Sequence, residues 1–238
     1  MRLFVMLALL CFASGAVAEP LKFLTEEYPP YAVRADGGYS GIGVDQVKAI
    51  AATAGIDYTM EMMPWARALA LAESQPQVCI FAAAHNAERD AKFKWVEPLL
   101  IDRNFLVAKR GSGVTVHSLD DAKRFIVGTQ REDYTDALLK TMGFPKIDLA
   151  SDFNTNLKKL LAGRIDLMPM SQSTYEKLRS EGTEIESATL FSEQKLGIAC
   201  HTDAPDAAIT ALQAALDRLI ASGEQDRIFR KYGVEPLH

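Results

Sequence analysis

Leu21-Lys22-Phe23-Leu24-Thr25 is a short apolar strand that runs into the aromatic, proline-rich turn Glu27-Tyr28-Pro29-Pro30-Tyr31. A Gly-rich turn and helix start follow, in Gly41-Ile42-Gly43-Val44-Asp45-Gln46-Val47. Next come Met63-Pro64-Trp65-Ala66-Arg67-Ala68-Leu69 and a second apolar run, Val78-Cys79-Ile80-Phe81-Ala82. The stretch closes on His85-Asn86-Ala87-Glu88-Arg89. Aromatic rings and an arginine therefore fall at the ends of strands, where open α/β sheets hold ligands.

Working outward, short β-rich runs alternate with helical patterns, which points to an α/β fold with mainly parallel sheets. Strands are expected at 21–25, 58–62, 78–82, 105–108, 125–128, 167–170 and 196–201. Val44, Val47, Ile50 and Ala51 share one helical face, as do Leu157, Leu160 and Leu161, with Gly163 as a stop. The clearest helical stretch is 205–232, striped by Ile209, Leu212, Leu216, Leu219 and Ile220 and broken at Ser222-Gly223. Two extended segments, 104–110 and 195–201, read as crossovers between lobes. Lobe one would then be 19–106 with 198–238, and lobe two 107–197, hinged to close on a ligand.

Residues 1–18 read as a secretory leader. Arg2 is followed by the apolar run 3–13, and Ala16-Val17-Ala18 offers a small-x-small cleavage site. The expected location is the periplasm, with cleavage after Ala18. The net charge is −5, and without the leader's single Arg2 it is one unit more negative. No basic stripe suggests nucleic-acid binding. The 48% of apolar residues supports a sizeable core. Cys79 and Cys200 each lie in an apolar run, and two separate buried thiols are expected. No histidine or cysteine has metal-ligand spacing, and no cofactor motif is present, so neither metal nor cofactor is expected.

The order of these pieces resembles the family 3 extracellular solute-binding proteins, the periplasmic receptors for polar amino acids in ABC importers. The resemblance rests on Tyr28-Pro29-Pro30-Tyr31 with 41–45, Glu88-Arg89 before Phe93-Lys94-Trp95-Val96-Glu97-Pro98, and Leu106-Val107-Ala108-Lys109. It continues through Leu161-Ala162-Gly163-Arg164-Ile165-Asp166, Leu196-Gly197-Ile198-Ala199, and Gly223-Glu224 with Lys231-Tyr232-Gly233. Pro64-Trp65-Ala66-Arg67-Ala68 is similar to a divergent branch whose ligands are poorly defined. The resemblance implies a two-lobed, type II periplasmic-binding-protein-like fold with a cleft between lobes joined by two hinge strands. It implies a monomer that carries a small solute to an inner-membrane ABC permease.

The resemblance also implies site residues. Arg89 would fork onto a ligand carboxylate, a task for which a guanidinium suits better than an ammonium. Trp65 and Tyr28 would wall the ligand's body. Ala82 and Ala84 stand where the family usually places hydroxyl residues, and Ser171 stands where an acid usually holds an ammonium. A serine cannot balance that charge in a closed site. Either Glu132 or Asp133 replaces the acid, or the ligand lacks an ammonium, and Arg131 beside them allows a second acidic group. Asp45 and Asp166 read as structural, and Met60, Met62 and Met63 as core. No nucleophile–base pair, Gly-x-Ser-x-Gly or phosphate loop is present, so no catalytic residue is assigned. Two alternatives remain: a dehydratase on this fold, using Glu132 or Asp133 as acid, and a free ligand-sensing subunit for a membrane receptor.

Overall fold

The computed structural model describes residues 19–237, so the leader expected at 1–18 lies outside the described residues. In chain order the elements are β1 (Leu21–Thr25), β2 (Val33–Ala35), β3 (Gly38–Ser40), α1 (Ile42–Ala54), β4 (Tyr58–Met62), α2 (Trp65–Ser74) and β5 (Val78–Ala84). Then come β6 (Phe93–Lys109), α3 (Leu119–Ala122), β7 (Val127–Gln130), α4 (Tyr134–Thr141), β8 (Ile147–Ala150), α5 (Phe153–Leu161) and β9 (Leu167–Ser171). The chain ends with α6 (Gln172–Ser180), β10 (Ile185–His201), α7 (Asp206–Ala221) and α8 (Glu224–Lys231).

Eight strands form one mixed sheet in the order β4-β1-β5-β10-β6-β9-β7-β8. At one end β1 lies parallel to β4 and β5, and at the other β7 lies parallel to β8 and β9. The two 17-residue strands β6 and β10 run antiparallel between them. Leu196 to Cys200 of β10 pair with β5, while Asn104 to Ala108 of β6 pair with β9. The two crossovers expected at 104–110 and 195–201 are thus parts of longer strands. The result is two α/β halves joined by a pair of long strands.

Both faces of each half are covered by helices, so the strands read as continuous apolar runs. Val78, Cys79, Ile80 and Phe81 are all buried. On one face of the first half, Phe23, Phe81 and Ile50 pack with Leu212, Leu216 and Phe229 of the C-terminal helices. On the other, Leu24 and Ile80 pack with Trp65 and Leu69 of α2. The second half builds around Leu106, Val127, Leu139 and Leu167 on one face and Val107, Phe153, Leu160 and Met168 on the other.

The Tyr28–Tyr31 turn is locked by the start of α1. The amides of Ile42 and Gly43 donate to the carbonyls of Pro30 and Tyr31 at 3.0 and 2.9 Å. A Cβ on Gly41 would come within 2.4 Å of the Tyr31 carbonyl oxygen, and Gly41 has φ 129°, so only glycine fits. The Gly41 amide donates to the Tyr232 hydroxyl at 2.9 Å, which itself donates to Asp45 at 2.8 Å. Lys231 meets the same carboxylate at 2.6 Å, so Asp45 is structural. Asp166 is too, accepting from the Ile126 amide at 2.8 Å.

The structure departs from the sequence pattern in three places. Cys79 and Cys200 are not separate thiols. They stand opposite each other where β10 pairs antiparallel with β5, and they form a disulfide with sulfurs 2.01 Å apart. The expected strand at 125–128 begins two residues later, at Val127. The hairpin β2–β3 and the edge strand β8 were not foreseen, because strands of three or four half-exposed residues carry no apolar run.

Candidate functional site

The cleft between the two halves encloses a cavity of about 70 Å³. Water needs roughly 10–15 Å³ per molecule on this scale, so the cavity has room for several waters or a small solute. Its wall from the first half carries Glu26, Tyr28, Tyr31, Trp65, Phe81, Ala82, Ala84 and Arg89. Asp102 and Asn104 of β6 contribute from the joining strand. The second half adds Gln130, Asp133, Tyr134, Phe153 and Asn156.

Arg89 precedes a single 3₁₀ turn, Asp90–Lys92, and is only 5% exposed. Its guanidinium lies 5.4 Å from the centre of the Trp65 ring. Nη2 donates to the Glu132 carbonyl at 2.7 Å and Nη1 to the Ala84 carbonyl at 3.4 Å. A guanidinium has five N–H groups, so three are left for a ligand. Burial pushes its pKa down, opposed chiefly by the charge of Asp133. Trp65, at the start of α2 after Pro64, is 3% exposed and donates Nε1 to the same Glu132 carbonyl at 2.9 Å. One backbone oxygen of the second half thus covers both the arginine and the tryptophan of the first.

Among the described residues, two non-glycine residues have left-handed backbones, and both are at this site: Ala82 (φ 57°) and Glu132 (φ 60°). Ala82 is the extra residue of a bulge. Phe81 faces Ile198 and Ala83 faces Gly197, with Ala82 left out of the pairing. At Glu132 the conformation goes with a carbonyl turned toward Arg89 and Trp65. Such conformations cost on the order of 1–3 kcal/mol and cluster at ligand sites.

The aromatic wall is rigid. Tyr28 stacks on Tyr31 with ring centres 5.9 Å apart and meets Phe153 of the second half edge-on at 4.6 Å. The Tyr28 hydroxyl accepts from the Ser171 amide at 2.9 Å. The Tyr31 hydroxyl donates to Asp102 at 2.9 Å and lies 3.0 Å from Ser171 Oγ. Thr174 donates to the Pro29 carbonyl. These contacts hold the two halves together around the cavity.

The cavity holds more acids than bases. Three carboxyl groups, those of Glu26, Asp102 and Asp133, face one guanidinium among the described lining residues. Removal from water raises Glu26 to about 8, helped by Asp133 and Asp152 and opposed by the hydrogen bond from Gln130. Burial raises Asp102 to about 6 against hydrogen bonds from Tyr31 and Asn104. Asp133 caps α4, accepting from the Thr135 amide at 2.9 Å.

The profile of the bacterial extracellular solute-binding proteins, family 3, matches residues 21–235, nearly the whole described chain. The chain belongs to that family. No curated protein sequence matches it. Among solved structures, this family 3 protein is similar to a histidine kinase sensor domain with similarity to periplasmic binding proteins (TM-score 0.82, 20% identity, 91% of this chain and 98% of that one). It is equally similar to the arginine-, lysine-, histidine-binding protein ArtJ from Geobacillus stearothermophilus (TM-score 0.82, 20% identity, 92% and 97% covered). An ancestral amino acid-binding protein described as a precursor of cyclohexadienyl dehydratase also matches (TM-score 0.78, 18% identity, 90% and 95% covered). At these identities the likeness establishes the two-lobed periplasmic-binding-protein fold. No helix among the described residues is long and apolar enough to cross a membrane.

Of the site residues expected for this family 3 protein, Arg89, Trp65, Tyr28, Ala82 and Ala84 line the cavity. Three stand elsewhere. Glu132 contributes its carbonyl, while its side chain lies outside the lining. Arg131 is exposed and outside it, which removes the basis for a second acidic group on the ligand. Ser171 is fully buried behind the wall, capping α6 and bonded to both tyrosines. Sequence reasoning missed Glu26 and Asp102. The available signals were an acid directly after a strand and an acid between the apolar runs 99–101 and 105–107.

Proposed function

We propose that this family 3 protein is a periplasmic receptor that captures a small carboxylate-bearing solute, an amino acid or related organic acid, by closing its lobes. Residues 19–106 with 198–238 form the first lobe and 107–197 the second. Arg89 holds the carboxylate through its remaining N–H groups, and Trp65 and Tyr28 wall the body. The observation that carries this reading is the Glu132 carbonyl, which reaches across the cleft to both Arg89 and Trp65. Closure is a shift of population, so the solute must bind the closed form more tightly than the open one. The closed, monomeric form then docks on an inner-membrane ABC permease. The family assignment supports that step.

The test is a thermal-shift screen of residues 19–238 against amino acids, dicarboxylates, amines and small aromatic acids. A solute at a hundred times its Kd adds about 2.7 kcal/mol to stability, readily seen as a rise in Tm. Arg89→Ala should abolish the rise for the compound that gives it. A panel in which no compound moves the melt refutes the receptor reading.

A further inference from the structure

The two halves meet behind the cavity as well as across it. There the turn Tyr28–Tyr31 of the first half packs on the first turn of α6 in the second. The Ser171 amide donates to the Tyr28 hydroxyl at 2.9 Å. The Thr174 hydroxyl donates to the Pro29 carbonyl. The Tyr31 hydroxyl gives its proton to Asp102, so the Ser171 hydroxyl, 3.0 Å away, donates to the Tyr31 oxygen. The Tyr28 ring stands edge-on to Phe153 of α5. Ser171 and Thr174 are fully buried, and neither they nor Pro29 line the cavity.

These bonds differ from those at the front of the cleft. At the front, the Glu132 carbonyl takes its N–H groups from Arg89 and Trp65, which face the cavity. At the back, each bond is made by the chain alone and needs no solute to complete it. In the closed arrangement the Ser171 amide and the Pro29 carbonyl take a partner from the other half. When the halves part, water replaces that partner at no great cost. A partner removed by substitution is therefore missed in the closed form, where water cannot take its place.

We propose that the Tyr28–Tyr31 turn and the start of α6 form a latch that holds the lobes shut by the chain's own contacts, so that a solute enters only while the latch is released. Ser171 and Thr174 are positioning residues for closure and do not touch the solute. Capture is then gated, because the fraction of molecules able to admit a solute is the unlatched fraction. This goes beyond the receptor reading, since no bond of the latch involves a solute.

The experiment uses ligand-free residues 19–238 at pH 5.5, where Glu26, raised to about 8, holds its proton and does not oppose closure. Small-angle scattering gives the radius of gyration, and amide hydrogen exchange at Ser171 reports how often the latch opens. The wild-type radius should match the one calculated from the structure. Thr174→Val keeps the side-chain shape but sets a methyl group against the Pro29 carbonyl. It should speed exchange at Ser171 at least about fivefold, the equilibrium shift of one buried hydrogen bond. Thr174→Ser, which keeps the hydroxyl, should not. Amides of the core strands β1 and β7 should keep their protection in both, which separates opening from unfolding. Tyr28→Phe removes the acceptor of the Ser171 amide, and combined with Thr174→Val it should expand the protein. If one of these variants fails to melt cooperatively, the other decides. A wild-type radius well above the calculated one overturns the inference. So does Ser171 exchange in Thr174→Val equal to wild type, or a double variant as compact as wild type. These outcomes leave the receptor reading standing, because no solute enters the test.

Discussion

The Glu132 carbonyl, with its left-handed backbone, does what its side chain does not. It accepts from Trp65 and Arg89, while the carboxylate stands outside the cavity. Substitutions that spare the backbone should therefore be mild. Glu132→Ala should change the affinity of any solute found in the screen by less than about threefold, since an exposed carboxylate at the rim contributes little. Arg89→Lys should cost about tenfold or more, because an ammonium offers no planar fork and stacks less well on Trp65. Calorimetry on both variants checks this, and a large loss in Glu132→Ala would assign the role to the side chain instead. At this scale the sequence revealed the arginine and the aromatics, whose types are rare and whose positions at strand ends are informative. It concealed Glu26 and Asp102. A charged residue just after a strand or within one reads as solvent-facing, and only the packing of the two halves against each other takes these two out of water.

At the scale of elements, the loop that carries Arg89 is fixed by His85. The imidazole stacks on Trp95 with ring centres 4.1 Å apart. Its two nitrogens meet Glu97 at 2.8 Å and Asp90 at 2.7 Å. Two carboxylate acceptors call for two N–H donors, which is the imidazolium. Partial burial works against that charge, but the hydrogen bonds with Asp90 and Glu97 prevail and raise the pKa above 6.5. A raised histidine contributes fully below its unfolded value and stops contributing as pH rises through its folded value. His85→Phe keeps the ring on Trp95 and removes both donors. It should lower stability by about 0.5–1 kcal/mol at pH 6, a figure kept small by solvent screening at Asp90, and the gap to wild type should close at alkaline pH. Denaturant melts at pH 6 and pH 9 decide it, and a pH-independent gap would mean that packing alone is involved. In the sequence His85 stands as a lone histidine, because its partners lie five and twelve residues away on separate elements. Elements with long apolar periodicity, such as α1 and α7, were legible. The disulfide was not, because the pairing of β5 with β10 joins residues 121 apart.

At the scale of the whole molecule, the cleft between the halves takes two carboxyl groups out of water. Glu26 is raised to about 8 in the closed form by loss of water, with Asp133 and Asp152 adding repulsion and Gln130 relieving part of it. Glu27 and Arg34 face it at the cleft's mouth. Asp102, among Tyr31, Asn104, Ser171 and Asp133, is raised to about 6. These are carboxylates with elevated folded values, so the sign is the reverse of the common acid-labile case. Between pH 4.5 and about 8 the closed form holds a proton on Glu26 that solvated chains release. By linkage, the closed form loses stability as pH rises through that window. Opening the lobes returns Glu26 to water without unfolding either core, so the ligand-free protein should respond by opening. Small-angle scattering of ligand-free residues 19–238 should give a smaller radius of gyration at pH 5.5 than at pH 8.5. Glu26→Gln has no proton to lose and should stay compact across the upper part of this range, leaving only the change due to Asp102 below about pH 7. A wild-type radius that does not move between pH 5.5 and 8.5 would show that burial of Glu26 is not what opposes closure. If it moves, the solute found in the thermal-shift screen should restore the compact form at pH 8.5, since a ligand that binds the closed form more tightly shifts the population back to it.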